Sequence, residues 1–391
     1  MLHYIGPVKL EHDIIESLVN DQFTAEATLR HGFPFKPLSV AFDPVQKILA
    51  IGNRSGAVRI YGKPGIDVEF VHDSPCQVFQ MIFIINSGKL LTACTDDSVN
   101  LWDIKKKKPE ILQTLKFNRE RVTCINVEFQ DKWLYIGTEK GNVYLMNLET
   151  FSLSGYQISW NKLIDPMQKN HPGAVSHLSC SPVDNGKILI GFETGLICLW
   201  DLAAKKGEQR YIYNQRLTSV SWNMDGSQFV CSHNDGSLVT WKSLKPPNNK
   251  PSNIIFPHGK RNKETGKLEG RCDPIEKVFW GFNRHGDSYF VFSGGLPSDV
   301  TGVTPSITYM QGKNTTLLEM EYCVLDFVVA TDSPYASDYQ EPESIIAMLT
   351  NDLVAIDCKT NGYPCFKNPY AMDFNESPVT CCRYIVDCPG R

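Results

Sequence analysis

The chain has 391 residues, of which 42% are hydrophobic and 11% aromatic, which is enough to bury a large core. Its net charge of −4 gives no sign of a whole-molecule surface for nucleic acid. Its apolar runs are shorter than the roughly 18 residues that cross a bilayer. Residues 1–23 mix charged and apolar side chains, so we expect no signal peptide. The 13 scattered cysteines predict reduced thiols and a cytosolic protein.

Along the chain, a two-strand phrase recurs seven times. Each copy has an alternating apolar run, a small or polar turn, and a second run that ends on an aromatic or apolar residue. The copies end near Tyr61, Trp102, Met146, Trp200, Trp241, Met310 and Ile356. The resulting spacings of 41, 44, 54, 41, 69 and 46 residues centre on the roughly 40–45 residues of WD40 repeats. The two long spacings indicate insertions.

A third alternating run precedes each phrase, from Leu38 in the first copy to Val324 in the last. The sequence therefore predicts an all-β fold, a seven-bladed WD40-type β-propeller, in which radial repetition leaves only short, protected edges. A β-sandwich is the alternative, but it gives no reason for Trp-Asp pairs at the same point of a repeated phrase. We interpret the aromatic rings as packing between blades and the carboxylates as bonding backbone donors; these residues are Trp102, Asp103, Trp200, Asp201 and Trp241.

The predicted organisation has three parts: an N-terminal segment (1–30), the propeller (31–366, with a basic inserted loop at 259–273), and a terminal segment (367–391). That terminal segment links onward and includes the first strand of a following blade at 377–384. Two alternatives are open for this strand. It closes the ring, or it leads towards a second propeller that is absent from this chain.

Motifs that carry chemistry are missing from the sequence. It has no G-x-S-x-G elbow, no C-x-x-C, no histidines at i and i+4, and no glycine-rich phosphate loop. We therefore predict a protein with no catalytic residue, no cofactor and no metal. A propeller hydrolase stays open as an alternative, since distant acids and histidines can converge on the central channel.

Two basic tracts are candidates for an interaction surface: Lys105–Lys108, and the run from Lys260 to Arg271. They are either solvated turns or an electrostatic patch for acidic lipid headgroups or an acidic partner helix. The aromatic and proline-rich segment from His31 to Pro37 has two interpretations. It contacts a partner protein, or it packs against the blade edges and holds them together. The full candidate set is His31, Gly32, Phe33, Pro34, Lys105, Lys106, Lys107, Lys108, Arg119, Arg121, Lys260, Arg261 and Lys263.

Several loop segments of the sequence resemble those of one known family. They are HGFPFKPLSVAFDPVQKILAIGNRSGAVRIYGKPG (31–65), LKFNRERVT (115–123), KWLYIGTEKGNVYLMNLETFSLSGY (132–156) and FPHGK (256–260). From about Glu11 to its end, the chain resembles the lethal giant larvae and tomosyn (syntaxin-binding) family. DPVQKILAIG and LKFNRERVT favour the tomosyn branch.

The resemblance implies a regulator of vesicle exocytosis and cell polarity, cytoplasmic and peripheral at the plasma membrane or cell cortex. The implied partners are syntaxin-class target SNAREs, non-muscle myosin II and Rab-type GTPases, with an influence on GTPase activity and a peripheral contact with acidic membrane. No catalytic residue, cofactor or nucleic acid is implied. A generic WD40 adaptor, such as a ubiquitin-ligase substrate receptor, is the alternative function.

The chain also departs from the family pattern. Members continue into a second propeller, and tomosyns end in a SNARE-like helix; this sequence has neither, so sequestration of SNAREs through that helix is not carried over. The residues before His31 lack the basic start typical of the family. A fragment, a short isoform and a truncated gene model are all open.

Overall fold

The computed structural model describes residues 32–366, apart from 64, 119, 128–131, 166, 168–169, 244–249, 262–267 and 299–301. The predictions for residues 1–30 and 367–391 lie outside the described residues. Seven antiparallel sheets follow one another along the chain, and in each the strands lie side by side in sequence order. The prediction of an all-β, seven-bladed propeller is confirmed.

Each of the first four blades has four strands. Blade 1 contains β1 Pro37–Asp43, β2 Ile48–Asn53, β3 Ala57–Tyr61 and β4 Asp67–Val71. Blade 2 contains β5 Val78–Ile84, β6 Lys89–Cys94, β7 Ser98–Asp103 and β8 Glu110–Lys116. Blade 3 contains β9 Val122–Val127, β10 Trp133–Thr138, β11 Val143–Asn147 and β12 Ser152–Ile158, followed by the short helix α1 Trp160–Leu163. Blade 4 contains β13 Val175–Cys180, β14 Lys187–Phe192, β15 Leu196–Asp201 and β16 Lys206–Ile212.

The remaining three blades include the longest insertion, which lies between blades 5 and 6. Blade 5 contains β17 Leu217–Trp222, β18 Gln228–His233, β19 Leu238–Lys242 and β20 Asn253–Ile255. The insertion forms a small hairpin of β21 Lys260–Arg261 and β22 Leu268–Glu269. Blade 6 contains β23 Ile275–Phe282, β24 Ser288–Gly294, β25 Ser306–Gln311 and β26 Asn314–Glu319. Blade 7 contains β27 Val324–Thr331, β28 Pro342–Leu349 and β29 Leu353–Asp357.

The ring closes within the described residues. The first strand of every blade contacts the first strand of the next, and β27 of blade 7 contacts β1 of blade 1. Side chains also bond across the joints: Gln80 of β5 donates to Ile125 O at 2.8 Å, and Thr218 of β17 donates to Ile275 O. The first strands therefore surround a central axis, and each blade is fixed by two neighbours.

The seven sequence phrases correspond to the second and third strands, and the preceding runs correspond to the first strands. The sequence reading missed the fourth strands, because their faces are poorly buried and lack strict alternation. In β8, for example, none of the seven residues is fully buried. These outer strands form the rim of the propeller.

Aromatic side chains fill the space between blades. The ring of Trp102 lies 4.3 Å, centroid to centroid, from that of Phe70 in the preceding blade. The ring of Trp241 in blade 5 lies 5.4 Å, centroid to centroid, from that of Tyr211 in blade 4. Both tryptophans are nearly inaccessible to solvent, so their burial stabilises the joints between blades rather than single sheets.

A positive φ recurs in the turn between the second and third strands. Glycine occupies it in blade 4, where a Cβ on Gly195 would collide with the carbonyl oxygen of Tyr213. In blade 2 the residue with positive φ is Asp97, at 63°. The Asp97 carboxylate accepts a hydrogen bond from the Val122 N–H at 3.0 Å. Asp97 thereby ties this turn to the first strand of blade 3.

Blade 7 has three strands, and the chain then turns back along its outer edge. Asp357 N donates to Pro364 O at 2.8 Å, and Phe366 N donates to Ala355 O at 2.7 Å. Residues 364–366 therefore begin an antiparallel pairing with β29 at the position that a fourth strand takes in the other blades.

In the part of the chain that the structure describes, no helix is both long and apolar enough to cross a membrane.

His233, at the end of β18, is inaccessible to solvent, and its Nδ1 lies 3.3 Å from Gln215 O. Burial lowers the pKa of His233 from 6.5 to about 4, against the opposing effect of Asp235. Between these two pH values the unfolded chain binds a proton that the folded chain does not. Stability is therefore lost as the pH falls through this window, by up to about 1.4 kcal/mol per pH unit for this group.

We predict that His233→Gln reduces the slope of unfolding free energy against pH between 6.5 and about 4. Urea denaturation at several pH values measures this slope. His285→Gln, at an exposed position, is the matched control and should keep the slope of the unmodified chain. Equal slopes for all three proteins would contradict the assignment of a buried neutral imidazole.

Candidate interaction surfaces

The strand order gives the propeller two faces with different loops. One face carries the turns between first and second strands and between third and fourth strands; we call it the hairpin face. The other carries the turns between second and third strands and the connections between blades; we call it the connection face. Loops are the usual carriers of binding function on such a rigid scaffold.

The predicted candidate residues lie on opposite faces. Lys105–Lys108 lies between β7 and β8, on the hairpin face. The β21–β22 hairpin, with Lys260 and Arg261, lies in the connection from blade 5 to blade 6, on the connection face. That face also carries Phe33 and Pro34 before β1 and the exposed Arg121 before β9. The two basic tracts therefore cannot form one patch, and His31, Arg119 and Lys263 lie outside the described residues.

The lysine turn on blade 2 is fixed at its base and open at its tip. The Asp103 carboxylate accepts the Lys105 N–H at 3.0 Å, which orders the turn. Lys106 Nζ pairs with Glu110 at 2.5 Å, and this hydrogen bond raises the pKa of Lys106. Lys107 and Lys108 are exposed and have no ion pair among the described residues. The turn therefore projects uncompensated positive charge.

A groove beside this turn opens between blades 2 and 3 and holds about 570 Å³. Its apolar side chains come from both blades, with Leu101 and Leu112 from blade 2 and Leu148 from blade 3. Lys89 and Lys132 stand among its lining residues. An apolar surface rimmed by cations is thus present on the hairpin face.

A buried hydrogen-bond chain orders blade 2 from within. His72 Nδ1 lies 2.7 Å from Gly56 O, and His72 Nε2 lies 2.8 Å from Thr92 Oγ1. Trp102 Nε1 donates to the same Thr92 oxygen at 3.2 Å. Burial lowers the pKa of His72, so the neutral ring donates through Nδ1 and accepts the threonine proton at Nε2.

The sequence analysis did not predict this series of hydrogen bonds, although the sequence contains a signal for it. Thr92 is the fourth residue of β6, where β14 has Ile190 and β18 has Cys231. Accordingly, the buried Trp200 and Trp241 Nε1 atoms have no hydrogen-bond partner among the described residues. A threonine at this one position marks blade 2 as different.

His72, Cys76 and Cys94 also have the spacing of a metal site, with ligand atoms within 4.8 Å of one another. Both ring nitrogens of His72 are already bonded, however, so the imidazole has no lone pair to offer an ion. Cys94 shares a hydrogen bond with Cys76; this bond together with burial raises the pKa of the Cys94 thiol, while the same bond lowers the pKa of Cys76. Since metals bind the thiolate, the donor set does not fit a metal ion as it stands.

Three titratable side chains on the inner strands, Lys277, Asp326 and His177, raise the question of acid–base chemistry. Lys277 Nζ on β23 binds Asp326 Oδ1 and Phe327 O on β27, each at 2.7 Å. Burial, and secondarily the charge of Lys277, lower the pKa of His177 on β13 to about 4. Asp326 is therefore engaged in an ion pair that joins blades 6 and 7, and does not orient His177 as a base.

The fold and its loop surfaces define a WD40-type propeller scaffold, and comparison with known proteins narrows the class. Residues 255–364 match the family model described as LLGL2. The chain is 29% identical to Lethal(2) giant larvae protein homolog 1 of Rattus norvegicus over 401 residues, covering 96% of this chain and 38% of that protein. It is 30% identical to LLGL scribble cell polarity complex component 2 of Mus musculus over 393 residues, covering 96% and 37%.

These matches support the lethal giant larvae and tomosyn family, and the chain resembles the N-terminal propeller half of its members. It spans well under half the length of the curated relatives that it matches. The tomosyn branch stays a prediction, because the two relatives named above carry lethal giant larvae names.

We predict that Thr92→Val destabilises the chain by about 2 kcal/mol, since it leaves His72 Nε2 and Trp102 Nε1 buried without a partner. Urea denaturation near neutral pH measures the loss. Thr92→Ser keeps the hydroxyl and is the matched control, with a smaller loss. A valine variant as stable as the serine variant would show that the chain of hydrogen bonds contributes nothing.

Proposed function

We propose that this chain is a non-enzymatic protein-binding scaffold that acts in cell polarity and vesicle exocytosis. Its proposed partners are syntaxin-class target SNAREs, non-muscle myosin II and Rab-type GTPases, bound at the two faces of the propeller. An influence on GTPase activity would then arise by binding. A peripheral contact with acidic membrane would place the protein at the plasma membrane or cell cortex.

The observation that carries this proposal is the match of nearly the whole chain to lethal giant larvae homologues. One of these relatives is named as a component of the scribble cell polarity complex. A scaffold function fits the propeller, because blades hold the framework while loops vary.

The contacts of the polar side chains also favour binding over catalysis. Asp326 is paired with Lys277, the nitrogens of His72 are engaged in structure, and Glu120 accepts hydrogen bonds from Thr138 and Tyr144. Each of these polar side chains orders a strand or a turn. The hydroxyls of Thr92 and Thr138 do lie at bonding distance from His72 and Glu120, but both threonines are inaccessible to solvent, so neither hydroxyl can reach a substrate as a nucleophile.

Purified components test the proposal directly. The immobilised 391-residue chain is offered the cytosolic domain of a syntaxin-class SNARE, a myosin II tail and a Rab-type GTPase, each separately, with an unrelated seven-bladed propeller as control. We expect saturable binding of at least one partner to this chain and none to the control. Binding of none of the three would contradict the proposed partner class.

A second experiment separates the scaffold from a generic adaptor. Proximity labelling in cells should enrich vesicle-tethering and cortical proteins if the proposal holds. Enrichment of cullin components instead would favour a ubiquitin-ligase substrate receptor.

A further inference from the structure

We propose that the groove between blades 2 and 3 binds an acidic amphipathic segment of a partner protein. The apolar side of that segment would lie on the leucines of the groove, and its carboxylates would face the lysine turn. This inference rests on the protein-binding function proposed above and specifies the chemistry of one partner.

The floor of the groove is apolar and accessible. Leu101 is almost fully buried at its base, while Leu112 on the outer strand β8 is 44% exposed. Ile84 and Leu148, both half-buried, extend the apolar surface across the joint between the blades. A volume of about 570 Å³ lies within the roughly 300–1,000 Å³ of typical binding clefts. The floor therefore suits a few aliphatic or aromatic side chains of a peptide.

The lysine turn continues directly from this groove. The side chain of Lys105 lies against Gly88, so closely that a Cβ there would overlap its methylene carbons. Ile104 N donates to Gly88 O at 3.0 Å. The residues on either side of Gly88, Ser87 and Lys89, both line the groove. The cations and the apolar floor thus form one continuous surface.

The charge of this surface is positive and mostly uncompensated. It contains six lysines and three acidic residues, a net charge of +3: Lys89, Lys105, Lys106, Lys107, Lys108, Lys132, Asp103, Glu110 and Glu149. The three carboxylates are all engaged, with Asp103 on backbone N–H, Glu110 on Lys106 and Glu149 on Lys132 at 3.1 Å. Among the described residues no carboxylate pairs with the other four lysines, so acidic side chains of a partner would find free cations.

The shape favours a peptide over a membrane surface. The apolar residues lie in a recess between two blades, where Leu101 is only 3% exposed, whereas a flat bilayer reaches residues that project. A helix or extended segment with apolar side chains on one side can enter such a recess, as in other helix-in-groove complexes.

A labelled amphipathic peptide of about fifteen residues, with leucines at i, i+3, i+4 and i+7 and glutamates on the flank, is the probe. Fluorescence anisotropy measures its affinity for the full chain. We expect Lys107→Glu with Lys108→Glu to weaken binding by about tenfold or more, and added salt to weaken binding to the unmodified chain. The matched control, Lys205→Glu with Lys206→Glu, reverses two exposed lysines where the turn after the third strand of blade 4 enters the fourth strand, and it should keep the affinity.

A second pair of variants tests the apolar floor. Leu112→Glu should also weaken binding by about tenfold, because it places a carboxylate among apolar contacts and against an acidic ligand. Leu153→Glu alters a residue of similar exposure, 42%, on the outer strand of blade 3 and should leave binding unchanged. All six substituted residues are exposed, and thermal melts check that the variants fold.

Two results would overturn the inference. One is equal peptide affinity of the unmodified chain and both blade 2 variants. The other is tight binding to phosphatidylserine vesicles that the blade 2 lysine variant loses, with no peptide binding, which would assign the lysines to a membrane. The peptide experiment does not depend on the partners named under the proposed function, because its probe is a designed peptide. If those partners fail to bind the chain, the peptide affinities still test the groove.

Discussion

The closed ring is the constraint on which the rest of the structure depends. A blade alone is a four-stranded sheet with two free edges and two uncovered faces, and it becomes stable by packing between neighbours. The seam between blades 7 and 1 is therefore as important as any blade. There β27 contacts β1, while Lys47 binds Glu343 at 2.9 Å and Thr331 O at 3.3 Å. Such half-exposed ion pairs contribute little energy, so strand packing holds the seam and the charges fix its alignment.

The strand topology also separates the two candidate surfaces. Since every strand runs from one face to the other, a tract in a hairpin turn and a tract in a blade connection necessarily lie on opposite sides. The lysine turn at Lys105–Lys108 and the β21–β22 hairpin are separated in this way. A scaffold built like this can hold two partners at once without competition between them. This is a property of the topology and not of any single loop.

Blade 2 combines a buried hydrogen-bond chain with an exposed cationic turn. Its hydrogen-bond chain runs from His72 through Thr92 to Trp102, and the next residue, Asp103, anchors the lysine turn through the Lys105 N–H. Strand β7 thus connects a buried hydrogen-bond network to an exposed cationic turn. An ordered base reduces the conformational entropy that binding must overcome.

The sequence predicted the blade number and the inner three strands because these strands are buried on alternating or on both faces, which leaves a periodic apolar pattern. The outer strands escaped prediction because segments such as Glu110–Lys116 are mostly exposed and carry no such pattern. The candidate lysines were found by composition alone. Their groove was not, because Leu112 and Leu148 are far apart in the chain and meet only once two blades pack.

Amide hydrogen exchange measured by mass spectrometry tests ring closure most directly, because exchange reports which strands open before the whole ring unfolds. Peptides from β1 (37–43) and β27 (324–331) at the seam are compared with those from β13 (175–180) on the far side of the ring. A closed ring predicts equal protection of the three strands. Early exchange of β1 and β27 while β13 stays protected would show an open ring and contradict the account.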